Sequence, residues 1–405
     1  MNILFLTMSS GWDDIETSGI YTDLMRKFCA KGHEVYIVYP NERRSGLPTR
    51  LLHKGKLHCL GVKTLNVTQT HIIEKGIGQL LIEHQFTAAI KKHFGMISFD
   101  VILYSTPPIT FTKVIKRVKR LNPLAISYLL LKDIFPQNAV DLGLMTTHGI
   151  KGLIYRFFRY KEQWLYRVSD YIGCMSPANV AYLLRHNSFI NKDCVEVAPN
   201  SYEVPLKAPL QTSAERNAIR EKYGLPLDVP IFIYGGNMGL PQGIPHIIDC
   251  MRAVKDRNDC HFLIIGNGTE YHLLEKFISN EKPAAVTSFK TLPKDEYDRL
   301  ARACDVGLIF LDYRFTIPNY PSRLLPYIME RKPIIAVTDP HCDAGTIAQD
   351  NGYGFFCPSN SVDAFVHSVE RMLQADMTLM GEKAYQFFLN NYTTDHTYNA
   401  IMKHI

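Results

Sequence analysis

The chain has 405 residues, enough for two or three domains. Its 46% hydrophobic and 21% charged residues are the balance of a globular protein that buries sizeable cores, which excludes fibres, disulfide scaffolds and disordered tails. The formal charge of +6 is uneven: residues 1–200 carry +10 and residues 201–405 carry −4. A basic first half points to an anionic counterpart: a nucleic acid, a phosphate-rich substrate or a membrane surface.

The start, MNILFLTMSSGWDD, lacks the basic region and cleavage site of a signal peptide and reads as a first strand. No stretch reaches the roughly 18–20 apolar residues of a spanning helix, so a cytoplasmic location is expected. The nine cysteines form no Cys-x-x-Cys pair and predict buried free thiols rather than a zinc site.

Two series of alternating strands and helices follow one another. The first opens with a strand Ile3–Thr7, a glycine-containing loop Ser9–Gly19, a helix from about Ile20 to Lys31 and a strand Glu34–Tyr39. Further strands are predicted at His58–Val62, Val101–Ser105 and Ala125–Leu131, with helices between. A Pro-containing linker, Pro199–Pro209, and a short helix near Ala214–Tyr223 lead into the second series. That series opens with strand Ile231–Tyr234, helix Pro245–Lys255, strand His261–Gly266 and helix Tyr271–Asn280. It continues with strand Ala285–Phe289, helix Lys294–Ala303, strand Val306–Phe310, helix Ser322–Glu330 and strand Pro333–Val337. The tail Asp376–Ile405 reads as helical. The alternation predicts parallel sheets with right-handed crossovers. The expected architecture is α/β: two Rossmann-like doubly wound domains facing a central cleft. Their bounds are placed at 1–205 and 206–380, with a C-terminal helix, 381–405, packing back on the first domain.

The most informative stretch is GGNMGLPQG, residues 235–243, between a strand and a helix. Glycines there let backbone N–H groups approach a phosphate, and the helix N-terminus favours negative charge. A tight turn without a ligand is the competing explanation. A second loop, GNGTE at 266–270, again follows a strand and opens a helix. Both lie at carboxyl ends of strands, where open α/β sheets bind ligands.

These loops belong to a longer run of motifs: Ser9–Gly19, KGHEVYIV at 31–38, KDIFPQNAVDLGLM at 132–145, the Trp164–Pro177 segment, GGNMGLPQG, HFLIIGNGTE, LPKDEYDRLARACDVGLIFL and PSRLLPYIMERKPIIA. In this order and spacing the chain resembles the retaining glycosyltransferases of family 4, which have the GT-B fold, and among them the WbuB-like transferases of surface polysaccharides. The resemblance implies that the C-terminal domain binds a nucleotide-sugar, a UDP-sugar by preference. It implies an acceptor on the N-terminal domain, either a glycan or a sugar on a polyprenyl diphosphate, and a peripheral position at the inner face of the cell membrane. It implies no cofactor. No Asp-x-Asp occurs, which fits a fold without a catalytic metal, so no metal ligand is assigned. The diphosphate charge then falls to backbone N–H groups, helix termini, Arg or Lys.

On the donor side the resemblance points to Gly236, Asn237, Gln242, Gly266, Gly268, Ser322 and Arg323. Where many relatives carry an Arg and a Lys, this chain has the neutral Asn237 and Gln242, leaving Arg323 as the catalytic candidate for the diphosphate. A surface salt bridge would explain Arg323 equally simply. The family's paired glutamates fall at Pro318 and Pro326, neither a carboxylate. Asp312, Asn319 or the backbone near Tyr320 is a candidate substitute, and Glu330 reads as a helix-end surface residue. The missing pair keeps a non-catalytic partner subunit open as an alternative, alongside a UDP-sugar 2-epimerase.

On the acceptor side, Asp133 ends an apolar strand and is a candidate to orient or deprotonate the acceptor hydroxyl, with capping of the next turn as the alternative. Lys132, Glu16, Ser18 and Gly19 are candidates to hold a phosphate, while a plain N-cap explains Ser18 as well. Residues 151–167 interleave Lys and Arg with aromatics. At helical spacing Leu153, Phe157, Tyr160, Trp164 and Arg167 share one face, which suits either a membrane surface or a core helix. Residues 113–120, KVIKRVKR, add positive charge. Nucleic-acid binding is not expected, since no helix-turn-helix, RNP or zinc motif is present.

Overall fold

The computed structural model of the chain describes residues 1–68, 70, 72–204 and 211–405. They form two compact units: Met1–Glu203 together with Thr393–Ile405, and Val204–Tyr392. The expected boundary at 205/206 lies outside the described residues.

The first unit is built on eight strands: β1 (Asn2–Leu6), β2 (Glu34–Glu42), β3 (Arg50–Lys54), β4 (Leu57–Thr64), β5 (Val101–Ser105), β6 (Ile126–Leu131), β7 (Tyr171–Cys174) and β8 (Val195–Val197). Their order is β3-β4-β2-β1-β5-β6-β7-β8, parallel except where β3 pairs antiparallel with β4. The central strands are continuous apolar runs because helices cover both faces, so Ile3–Leu6, Val101–Tyr104 and Tyr128–Leu130 are all fully buried. The second unit carries β9 (Ile231–Asn237), β10 (His261–Asn267), β11 (Val286–Phe289), β12 (Val306–Phe310), β13 (Ile334–Thr338) and β14 (Gly354–Pro358). Its order is β11-β10-β9-β12-β13-β14, all parallel.

Strands β3, β7, β8 and β14 have no counterpart in the sequence reading. They run three to five residues, too short for periodicity to mark. The helix expected at Ser322–Glu330 shortens to Leu324–Met329. Pro326 is tolerated there because first-turn N–H groups have no intrahelical acceptor.

The second unit runs on to Tyr392 rather than stopping at 380. Helix Met377–Asn391 packs against Leu324–Met329. A methyl on Gly381 would meet the Arg331 carbonyl, Arg331 pairs with Glu382 at 3.0 Å, and its guanidinium lies 3.8 Å from the Tyr385 ring centre. Only Thr393–Ile405 joins the first unit. There the Thr394 N–H donates to Tyr202 O, Thr397 Oγ1 donates to Pro199 O, Lys27 pairs with Asp395, and His404 stacks on Tyr171 at 3.7 Å. All nine cysteines are free thiols, seven buried and two half-buried.

Candidate functional site

Each sheet reverses its strand order once, between β1 and β5 in the first unit and between β9 and β12 in the second. Ligands of open α/β sheets bind outside the carboxyl ends of strands at such a reversal. In the second unit this crevice is bordered by the loops after β9 and β12. Gly243, at φ +64, brings them together: a methyl there would sit 3.4 Å from the Asp312 Cα, and the Asp312 N–H donates to Pro241 O at 2.9 Å.

Arg323 lies across the end of β9. A methyl on Gly236 would meet Arg323 Nε at 2.9 Å and Tyr234 Oη at 3.0 Å, so the missing side chain is the room the guanidinium occupies. Arg323 is half-buried and pairs with no carboxylate among the described residues, which removes the salt-bridge explanation. Ser322 beside it is exposed. Asn237 and Gln242 bind each other, Asn237 Nδ2 donating to Gln242 Oε1 at 3.0 Å, and the Gly239 N–H donates to the same oxygen at 3.3 Å. They brace the loop. Gly266 and Gly268 serve loop packing: methyls there would strike the Gly236 and Met238 carbonyls at 1.9 and 2.4 Å. The Met238 N–H donates to Asn267 O, and the Glu270 N–H to Met238 O.

Of the offered substitutes for the missing glutamates, the Asp312 carboxylate is otherwise engaged. Asp312 forms an ion pair with Arg314 at 2.8 Å, and the Tyr320 hydroxyl bonds that of Tyr392 in the core. Asn319 is half-buried beside the buried Pro318. Glu330 ends its helix in a pair with Arg302 at 3.0 Å.

In the first unit, Lys132 and Asp133 follow β6. Thr106 Oγ1 accepts both of their N–H groups, at 2.9 and 3.1 Å. The Lys132 ammonium donates to Ala198 O at 3.3 Å and meets no carboxylate among the described residues; burial lowers its pKa to about 7. Burial also pushes the Asp133 carboxyl upward, and both its oxygens accept from Asn138 Nδ2. The loop after β1 is organised by a residue the sequence reading passed over. Buried Asp23 accepts from Ser18 Oγ at 2.9 Å, Gly19 N at 2.9 Å and Glu203 N at 2.9 Å, and pairs with Arg26 at 2.8 Å. Ser18 therefore does not cap the first helix, which begins at Thr22 after Tyr21. Glu16 is exposed. The sequence offered no signal for Asp23 beyond an acid in a helix's first turn.

The larger cavity, about 820 Å³, opens at the opposite, N-terminal edge of the second sheet. Arg216 and Arg331 in its wall are already paired with Asp305 and Glu382, so the reversal crevice remains the candidate site. Among the described residues no group of three His, Cys, Asp or Glu is arranged to hold a metal, and no helix is long and apolar enough to cross a membrane.

Residues 215–387 match the family described as glycosyl transferases group 1. A probable glycosyltransferase of Pseudomonas aeruginosa, WbjE, is 23% identical over 326 residues, 80% of this chain and 78% of that protein. Sucrose-phosphate synthase from Thermosynechococcus elongatus superposes with a TM-score of 0.74 over 99% of this chain and 97% of its own, at 14% identity. Anabaena HepE, solved with UDP and glucose, gives 0.68 over 100% and 98%, at 12% identity. Two parallel-sheet α/β units with Gly-loop crevices, and this match across the second of them, lead to one conclusion: the chain has the GT-B-type fold, carries a segment like the group 1 glycosyltransferases at residues 215–387, and is a glycosyltransferase.

Proposed function

We propose that the chain moves a sugar from a UDP-sugar, with retention, onto a glycan or polyprenyl-diphosphate-linked acceptor in surface-polysaccharide synthesis, in the manner of WbuB-like enzymes. The observation that carries the donor half is Arg323, a half-buried cation that meets no carboxylate among the described residues, at the strand-order reversal of the second unit. A guanidinium so placed offers its N–H donors and charge to a leaving diphosphate. UDP in the crystal of HepE supports that nucleotide. In same-face attack the leaving diphosphate accepts the acceptor proton while Arg323 stabilises the developing charge. Lys132, likewise without a carboxylate among the described residues, is the first unit's candidate for an acceptor phosphate, and Asp133 orients the hydroxyl.

The acceptor half and a peripheral place at the inner membrane face are supported by helix Gly152–Val168. Its Leu153, Ile154, Phe157 and Tyr160 are 57%, 54%, 43% and 56% exposed, an apolar face with Arg156 beside it. Helix Thr112–Leu121, which packs against it, exposes Lys113, Lys116 and Arg120.

Arg323→Ala is expected to lower turnover of the preferred nucleotide-sugar by on the order of 10²–10³ with unfolding unchanged, the scale of a lost charge-stabilising donor. Wild-type turnover in the folded variant would overturn the diphosphate role.

A further inference from the structure

The glycine pair that ends β9 has a second occupant. A methyl on Gly235 would fall 2.1 Å from Tyr297 Oη, just as one on Gly236 would fall against Arg323. Tyr297 comes from helix Lys294–Arg302, which follows β11, and its hydroxyl lies near enough to Arg323 to act on the guanidinium's charge. Tyr327 lies beneath them: the Gly235 N–H donates to its hydroxyl at 3.0 Å, and that hydroxyl is 3.5 Å from Tyr297 Oη. Tyr234 closes the other side, its hydroxyl donating to Asn237 O at 2.9 Å. Arg323 thus rests among three phenols and meets no carboxylate among the described residues.

That choice of partner has a chemical consequence. A carboxylate would hold the guanidinium and cancel its charge. A phenol oxygen accepts one N–H and holds the plane of the fork, but leaves the charge for an anion. We propose that Tyr297 is a positioning residue for Arg323, and that Gly235 and Gly236 are the gap that lets the two side chains meet over the end of β9. This rests on the reading of Arg323 as the diphosphate partner. The Gly-Gly pair then acts less by bringing its own backbone to the phosphate than by admitting a charged side chain to it.

The test is a double-mutant cycle on nucleotide affinity by titration calorimetry. The probe is whichever of UDP, GDP and dTDP the wild-type protein binds most tightly, with the matching nucleoside, which lacks the diphosphate, as control. Tyr297→Phe is expected to weaken the diphosphate on the order of tenfold, the scale of a lost hydrogen bond to a charged group, and to leave the nucleoside unchanged. In an Arg323→Ala background the same change should have no further effect, because coupled residues do not add. Gly236→Ala should displace the flexible Arg323 and reproduce the loss. Equal weakening of nucleotide and nucleoside, or a fully additive double mutant, would overturn the positioning role while leaving Arg323 as diphosphate partner. An Arg323→Ala protein with unchanged nucleotide affinity, or a wild type that binds none of the three, would overturn both.

Discussion

Asp339 follows β13 with its side chain wholly buried. Its Oδ1 accepts the N–H groups of His341 and Cys342 at 2.8 and 3.0 Å, while Oδ2 has no partner, and Ser359 on the neighbouring strand end also buries an unpartnered hydroxyl. Burial, outweighing those two hydrogen bonds, raises the carboxyl to about 6 from an ordinary 3.8. The folded chain therefore holds this proton more tightly than the unfolded one. The stability it contributes is complete below about pH 4 and is lost as pH rises through 6, a difference of roughly 2–3 kcal/mol. Asp339→Asn keeps an oxygen for the two N–H groups and removes the titration. Its melting temperature should exceed the parent's at pH 8 and converge with it near pH 4. A constant offset across that range would place the pH response elsewhere.

Helix Gly152–Val168 shows how one element divides its charges between structure and surface. Its buried face is Glu162, Leu165 and Tyr166, and the Tyr166 hydroxyl donates to Glu162 at 2.6 Å. Arg159 pairs with that buried Glu162 and donates to Asn187 Oδ1 at 2.6 Å, while Lys161 reaches buried Glu83 at 3.6 Å. Neither cation is available to a lipid headgroup; Arg156 is exposed. Neutralising Arg159 should therefore lower stability by about 3–5 kcal/mol, the cost of stranding a buried charge, rather than weaken membrane docking selectively. Leu153→Ser with Phe157→Ser should instead cut flotation with phosphatidylglycerol vesicles tenfold or more, since each apolar side chain contributes about 1.5–3 kcal/mol on burial. Vesicle binding equal to the parent's would remove this face from membrane docking. Helix Ile72–Phe94, which packs against Thr112–Leu121, also exposes Ile77, Leu80 and Leu81, and can be scanned in the same assay.

Across the whole molecule, Arg323 beside the strand-order reversal of the second unit and Lys132 after β6 in the first are cations that meet no carboxylate among the described residues. With no Asp-x-Asp in the chain, transfer should persist in excess EDTA, because protein donors rather than a cation meet the diphosphate. Loss of activity in EDTA, restored by Mg²⁺ or Mn²⁺, would reassign that charge to a metal. The two α/β series, the glycine loops between strand and helix, and the candidates Arg323 and Lys132 were legible in the sequence. They depend on local features: apolar runs, breaks at Gly and Pro, and motifs of a few residues. The short strands and the Tyr297–Arg323–Tyr327 cluster were not, since strands of three to five residues carry too little period and the cluster joins separate elements. By itself the sequence determined the class of fold and which residues are chemically able to meet a phosphate or a sugar. Only tertiary structure decided which of them are free to do so. Glu330 finds Arg302, Asp312 turns to Arg314, and Arg159 and Lys161 are taken by buried glutamates, whereas Arg323 lies beside phenols and meets no carboxylate among the described residues. Such pairing follows from distances between side chains on different elements, which no local pattern encodes.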